Sequence, residues 1–281
     1  MPKARRRLTI LIDKIKDNSV QLIEIIVLII CVILPLVIDV PGLFEKYLKD
    51  NYLTPDNMAP YLMIKAGKYA LAVGLFIIAL LNIRKHNKEV TMNRRNVYHN
   101  YSYLWYYFCA KILNIEKCNL ILVPIFMQYK LVIQNIFNDY PLNENDYPVV
   151  DDEPDVIISK SNWSTNFYEI NVILEDTYLI DAKQIPREKR KLPTIKISRN
   201  DGSDVGRHFS QKFIESVINE IRGLRDGIRV NVYATTNPMN TYNIAKRAFT
   251  NADRGNVAEL YVYQQGSTEN RLFESKGKKI Y

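Results

Sequence analysis

Two long apolar runs lie close together near the N-terminus, and they limit what the rest of the chain can become. From Val20 to Val40 one acid, Glu24, near the start and Asp39 at the far end bracket an apolar stretch, long enough to cross a hydrocarbon core of roughly 30 Å. The second run, Tyr61 to Ile83, has the uninterrupted core YALAVGLFIIALLNI and reaches full length only if Lys65 and Lys68 snorkel to the interface. A cleaved leader does not fit the first run, which is too long and shows no small-residue cleavage pattern between Leu36 and Pro41. Two transmembrane helices, at about 20–40 and 61–83 within a membrane segment 19–84, are expected. The mean hydropathy of -0.17 conceals this division, because the remainder of the chain alternates apolar and charged residues as soluble chains do.

Charge sets the expected orientation. Part of the net charge of +8 is concentrated in two blocks that flank the apolar pair, Lys3 with Arg5, Arg6 and Arg7, and Arg84, Lys85, Lys88, Arg94 and Arg95. The connecting loop from Pro41 to Pro60 balances Lys46 and Lys49 against Glu45, Asp50 and Asp56. By the positive-inside rule both chain ends face the cytoplasm, and the basic blocks suit anionic lipid headgroups. Within the N-terminal segment 1–18, Leu8, Leu11, Ile12 and Ile15 fall on one helical face with Lys14 and Lys16 opposite, a pattern for a helix lying in the interface. Three cysteines, Cys31, Cys109 and Cys118, fit a reducing compartment without disulfides.

A basic linker, 85–96, leads into a soluble domain expected over 97–281. Val97 to Leu113 is too aromatic for a surface helix and too polar to span a bilayer, so it reads as a core or dimer-interface helix. Leu120 to Phe126 reads as a buried strand ending near a proline, and the acidic stretch from Tyr140 to Asp155 as an exposed connector. Val156 to Asp181 reads as up to three strands in a meander. Phe209, Phe213, Val217, Ile218 and Ile221 recur at helical spacing within Val205 to Arg225; a strand in IRVNVYATTN, a short helix in TYNIAKRAF and a final strand in AELYVYQQ follow. The fold class is α/β (α+β) behind an all-α membrane hairpin.

Catalytic constellations are missing from the sequence. It has no nucleophile elbow, no GxxxxGK[ST] loop and no HExxH. His86, His99 and His208 lie far apart, so no zinc site is expected, and Asp151 and Asp152 fall in the solvated connector. A non-enzymatic protein without cofactor or metal is the expectation. The competing readings are a membrane-anchored enzyme acting on nucleotides and a membrane adaptor that binds a protein partner.

Three local matches add to this reading. YSYLWYYFCAKIL, NLILVPIF, and KSNWSTNFYE followed by TYLIDAKQIP occur in the order of a first ligand-domain helix, a first core strand and a lid hairpin. From about Val97 to Asn237 the chain resembles STING, specifically the bacterial transmembrane STING effectors of CBASS-type antiphage systems. The resemblance implies a STING-like cyclic-dinucleotide-binding domain, with Phe108 stacking on a ligand base beside Tyr107. It implies Lys160, shielded by Trp163, at the place of a ligand-contacting arginine, and Asp181 reading guanine. Lysine in place of arginine forfeits bidentate geometry. The family's Pro-Thr element is either Pro193 with Thr194, after an inserted REKRK, or degenerate around Pro186. The implied ligand is 3',3'-cyclic di-GMP, or another cyclic oligonucleotide. The implied partners are the lipid bilayer and a homodimer that assembles into higher oligomers, with no nucleic acid, at a bacterial inner membrane that the effector disrupts in abortive infection.

Overall fold

The computed structural model describes residues 12–38, 67–142, 144–149, 155–164, 166–199, 207–250, 256–266 and 270–281. Of the sequence expectations, Leu8 and Leu11, the loop 41–60, the first residues of the second run and most of 150–155 lie outside these residues. Contacts divide the chain into two compact units, one comprising 1–97 with 104–117 and the other 98–103 with 118–281.

In the first unit, helix α1 (Ser19–Val37) packs against α2 (Gly67–Asn87). A helix satisfies its backbone groups internally, which an apolar solvent requires of any single segment. The buried positions of α1 are Gln21, Glu24, Leu28 and Pro35, whose separations of three, four and seven residues place them on one stripe. Its other faces are apolar and exposed, including Ile23, Ile26, Ile30 and Ile33.

The buried polar side chains lie at the end where the two helices approach the aromatic segment. Asn87 donates to Glu24 Oε2 at 3.0 Å and to the Leu113 carbonyl at 3.1 Å. Arg84 Nη1 donates to the carbonyls of Lys111 and Ile112, each at 2.9 Å, and Asn114 returns a bond to the Arg84 carbonyl. Trp105 Nε1 donates to Asn18 at 2.9 Å. The aromatic segment itself is shorter than its sequence implies. Helix α3 (Tyr103–Tyr107) passes directly into a π turn, Phe108–Ile112, while 97–102 is irregular. The wider turn leaves carbonyls at its C-terminal end, and Arg84 occupies two of them.

The second unit is built on a sheet. Helix α4 (Ile125–Ile133) precedes strands β1 (Ile157–Ser161), β2 (Glu169–Glu175) and β3 (Thr194–Ser198). Helix α5 (Gln211–Arg222), β4 (Ile228–Ala234), α6 (Pro238–Ile244), β5 (Val257–Tyr263) and β6 (Lys278–Lys279) complete it. The strand order is β1-β3-β2-β4-β5-β6. The four inner strands are parallel and the two edges antiparallel.

Alternation along the strands sorts their residues onto two faces. One face carries Ile170, Val172, Leu174, Ile195, Ile197, Val230, Val232, Leu260 and Val262, all buried. Helices α4 and α5 contact β5 and β3 respectively, and α6 packs on both helices. Phe213, Ile214, Val217, Ile218 and Ile221 give α5 its buried face, as their spacing predicts. Ser210 caps that helix by accepting from the Phe213 N–H. On the opposite face Ile173, Tyr233 and Tyr263 cluster with Ile180, Ile185 and Phe273, so stretches of irregular chain cover it.

Two sequence expectations are corrected. Leu120 to Phe126 is not a strand: residues 121–123 turn, with Leu122 at positive φ, and Pro124 is the N-cap of α4. Proline fixes a φ suited to a helix start and needs no N–H partner there. The stretch from Val156 to Asp181 is not a three-strand meander, because β3 lies between β1 and β2 and TYLIDAK makes no strand. Local alternation cannot see a partner that arrives later in the chain.

Gly277 lies where a Cβ would stand 2.7 Å from the ring of Tyr263 and 3.1 Å from Tyr261 Cβ. Gly277→Ala is expected to cost about 1–3 kcal/mol by overpacking, read as a lower melting temperature of the full chain in detergent.

Candidate ligand-binding site

At the amino ends of the parallel strands, the chain between β1 and β2 raises an aromatic rim. Lys160 Nζ lies 5.1 Å from the centroid of Trp163, whose ring meets Phe167 edge-on at 5.1 Å. The guanidinium of Arg225, in the turn before β4, sits 5.4 Å from Phe167 and 4.9 Å from Tyr168. Trp163 and Tyr168 are 48% and 81% exposed, so about half of the first ring and most of the second face solvent. Each cation rests on the negative face of a ring. Lys160 also pairs with Glu220 at 2.8 Å, a partly exposed contact of little net stability.

The register explains this rim. Ser161 is opposite Thr194, and the following Asn162, at φ 52°, donates to the carbonyls of Arg190 and Leu192. Asparagine tolerates that left-handed conformation better than most residues, and it turns the chain away from the sheet. Pro193 and Thr194 lie beneath. The Pro193 carbonyl accepts from the Asn171 N–H at 2.8 Å, and the Thr194 hydroxyl donates to Leu192 and accepts from Asn171 Nδ2. Thr194 is buried and held within the sheet.

The structure thus brings Lys160, Trp163, Pro193 and Thr194 together and places the other expected residues elsewhere. Asp181 follows the carboxyl end of β2, is exposed, and caps a short 3-10 helix by accepting from the Lys183 N–H at 2.8 Å while Gln184 answers its own N–H. Tyr107 and Phe108 belong to the first unit, where Phe108 stacks on Trp105 with centroids 6.0 Å apart. The lid hairpin does not form as a hairpin, since β1 and β2 are not neighbours.

Beneath the rim, on the face covered by irregular chain, Glu169 accepts from Lys189 at 2.6 Å and from Asn231 at 2.8 Å. Burial opposes the charge of Glu169, but these two donors outweigh it and hold the carboxyl below its ordinary value. A folded value below the unfolded one means the stability is present above the unfolded value and is lost as pH falls through the folded value. Glu169→Gln is expected to flatten the acid side of the melting temperature against pH curve.

A second polar cluster, which the sequence reading missed, closes the carboxyl ends. Arg199 and Asp176 form a fully buried ion pair just beyond β3 and β2. Asp176 Oδ2 accepts from the Asn237 N–H at 2.8 Å and Asn240 Nδ2 at 3.0 Å. Arg199 Nη1 lies 2.7 Å from His208 Nε2, and the His208 carbonyl accepts from Asn237 and Asn240. Burial raises the Asp176 carboxyl above its ordinary value, against the pull of Arg199, the Asn237 N–H and Asn240. The order of the parallel strands reverses direction between β2 and β4, the place where open α/β sheets usually take ligands. Here the chain's own side chains fill it. The one local signal was Asn237-Pro238 after an apolar strand, a helix-start pair.

Removing one member of a buried pair leaves an uncompensated charge. Arg199→Met is expected to cost about 3–5 kcal/mol, and the double variant Asp176→Leu, Arg199→Met less, as compared by denaturant unfolding. Among the described residues no group of His, Cys, Asp and Glu could hold a metal ion.

No curated protein matches the sequence. Two solved structures of the Acinetobacter baumannii Cap4 SAVED/CARF-domain containing receptor are similar. The one with the cyclic trinucleotide 2'3'3'-cAAA has a TM-score of 0.40 at 10% identity, covering 62% of this chain and 40% of that one. The one with 3'3'3'-cAAA has a TM-score of 0.44 at 9% identity, covering 79% and 59%. The chain therefore spans less than two thirds of either structure's length, and both scores fall below 0.5, where a common fold is not established. Among the described residues, α1 and α2 are long and apolar enough to cross a membrane. In agreement with that pair, residues 6–281 match SUa-2TM, the SMODS- and Ubiquitin system-associated 2TM effector domain, and the chain belongs to this family.

Proposed function

We propose that this chain is a non-enzymatic membrane effector that senses a cyclic oligonucleotide, gathers into higher oligomers and damages a bacterial inner membrane in antiphage defence. Its family is described as an effector with two transmembrane segments associated with SMODS systems. The observation that carries the ligand class is the aromatic rim, where Lys160 rests on Trp163 and Arg225 on Phe167 and Tyr168. A cyclic oligonucleotide presents flat bases joined by phosphates. Exposed rings offer its bases a stacking face worth roughly 1–3 kcal/mol each, and the neighbouring cations offer its phosphates a counter-charge.

In the finer, STING-like form of this reading, the ligand is cyclic di-GMP bound at a two-fold axis by residues 97–281, with both chain ends cytoplasmic. Lys160 and Trp163 are then the contacts, with Pro193 and Thr194 beneath them. Two copies presenting the same groups suit a ligand of approximate two-fold symmetry. Binding drives assembly only if the assembled state holds the ligand more tightly.

The chain has two tryptophans, Trp105 and Trp163, so Trp105→Phe leaves the rim indole as the only one. In detergent, titration with cyclic di-GMP and with cyclic trinucleotides is expected to quench this fluorescence to saturation, while 5'-AMP does not. Trp163→Ala is expected to weaken calorimetric affinity at least about tenfold, the effect of roughly 1.4 kcal/mol. A rim indole indifferent to every cyclic oligonucleotide would sink the proposal.

A further inference from the structure

The aromatic segment packed on the hairpin carries an apolar face that the protein leaves uncovered. Leu104 is 75% exposed and Tyr107 45%, whereas Tyr106 and Cys109, on the other side of the same turns, are fully buried. Steps of three and four residues lead from Leu104 to Tyr107 and on to Lys111, so the three lie along one stripe, and exposed Ile112 extends it. Exposed apolar side chains by themselves name no partner. The place of this stripe in the fold does.

Side-chain bonds fix both ends of the segment to the helix pair. Trp105 bonds Asn18, the residue before α1. Arg84 and Asn87, at the end of α2, bond the carbonyls of Lys111, Ile112 and Leu113. Asn87 also bonds Glu24, so the end of α2 and the first two turns of α1 share one level, and the segment lies across it. At that level α1 still exposes Val20 and Ile23, while α2 exposes Lys85 and His86. Apolar and basic side chains mix in this way where hydrocarbon meets headgroups.

We infer that residues 104–112 are a third membrane contact, lying in the plane of the interface with Leu104, Tyr107 and Ile112 toward the acyl boundary and Lys111 toward the lipid phosphates. Leucine is a residue that interfacial segments insert, and tyrosine suits the same depth because its ring is apolar and its tip polar. The partner of Tyr107 is then lipid rather than a nucleotide base. This rests on the membrane-spanning reading and not on the choice of nucleotide. Because Arg84 and Asn87 hold the segment from α2 itself, its seat in the interface also fixes the depth of α2.

The test uses the full chain reconstituted, without nucleotide, into vesicles of phosphatidylcholine and phosphatidylglycerol, with Cys31→Ala leaving only the buried Cys109 and Cys118. A nitroxide is attached in turn at Leu104→Cys, at Tyr107→Cys and, as the hydrocarbon reference, at Ile30→Cys, an exposed position within α1. Power saturation then compares collisions with oxygen, which concentrates in lipid, and with a water-soluble nickel chelate. Labels at 104 and 107 are expected to meet the chelate severalfold less than free nitroxide in buffer and to meet oxygen freely, at a depth of about 5–10 Å. Chelate contact equal to that of the free nitroxide overturns the inference. Shielding from both probes overturns it too, because it marks a face covered by protein, such as a second copy. A chelate-exposed label at Ile30 overturns the membrane-spanning reading along with it, whereas loss of cyclic-oligonucleotide binding alters none of these results.

Discussion

Parallel pairing of β2 on both sides, with β3 and with β4, is the constraint on which the second unit depends. Parallel neighbours cannot be joined by a tight turn, so each connection must travel back along the sheet. The return from β2 to β3 uses residues 176–193, and it lays Ile180 and Ile185 over Ile173, Tyr233 and Tyr263. The return from β3 to β4 carries α5 across the other face. One pairing choice therefore decides which face is covered by helices and which is strapped by irregular chain.

The same constraint separates two sets of polar residues by the length of the strands. β2 has seven residues, about 23 Å at ~3.3 Å per residue. The amino end keeps its rings and cations exposed, around Trp163, Tyr168 and Arg225. At the carboxyl end Asp176, Arg199, Asn237 and Asn240 satisfy one another away from water. A buried polar network of this kind is costly if left incomplete, so it holds its loops in one arrangement. The exposed rim has no such restraint, and its Lys160 to Glu220 contact breaks at little cost.

In the first unit the deciding interactions are again at an end. Glu24, in the second turn of α1, bonds Asn87, the last residue of α2, and Arg84 sits on the final carbonyls of the π turn. These bonds tie the aromatic segment Leu104–Leu113 to the hairpin. Aromatic content alone marked that segment as something other than a surface helix, but nothing local named the carbonyls that would need a guanidinium.

The sequence alone determined the elements whose signal is local. Apolar length located α1 and α2, helical spacing of Phe213, Val217, Ile218 and Ile221 located α5, and alternation located β4 and β5. The resemblance, rather than any local signal, pointed to Lys160 and Trp163, whose cation and ring lie 5.1 Å apart. Only the tertiary structure decided that Leu120–Phe126 gives way to a helix start, that β3 separates β1 from β2, and that Asp176 and Arg199 meet. The physical reason is distance along the chain: helix and strand periodicity are set by neighbours a few residues away, whereas strand order and the pairing of buried charges depend on partners brought together only when the sheet closes.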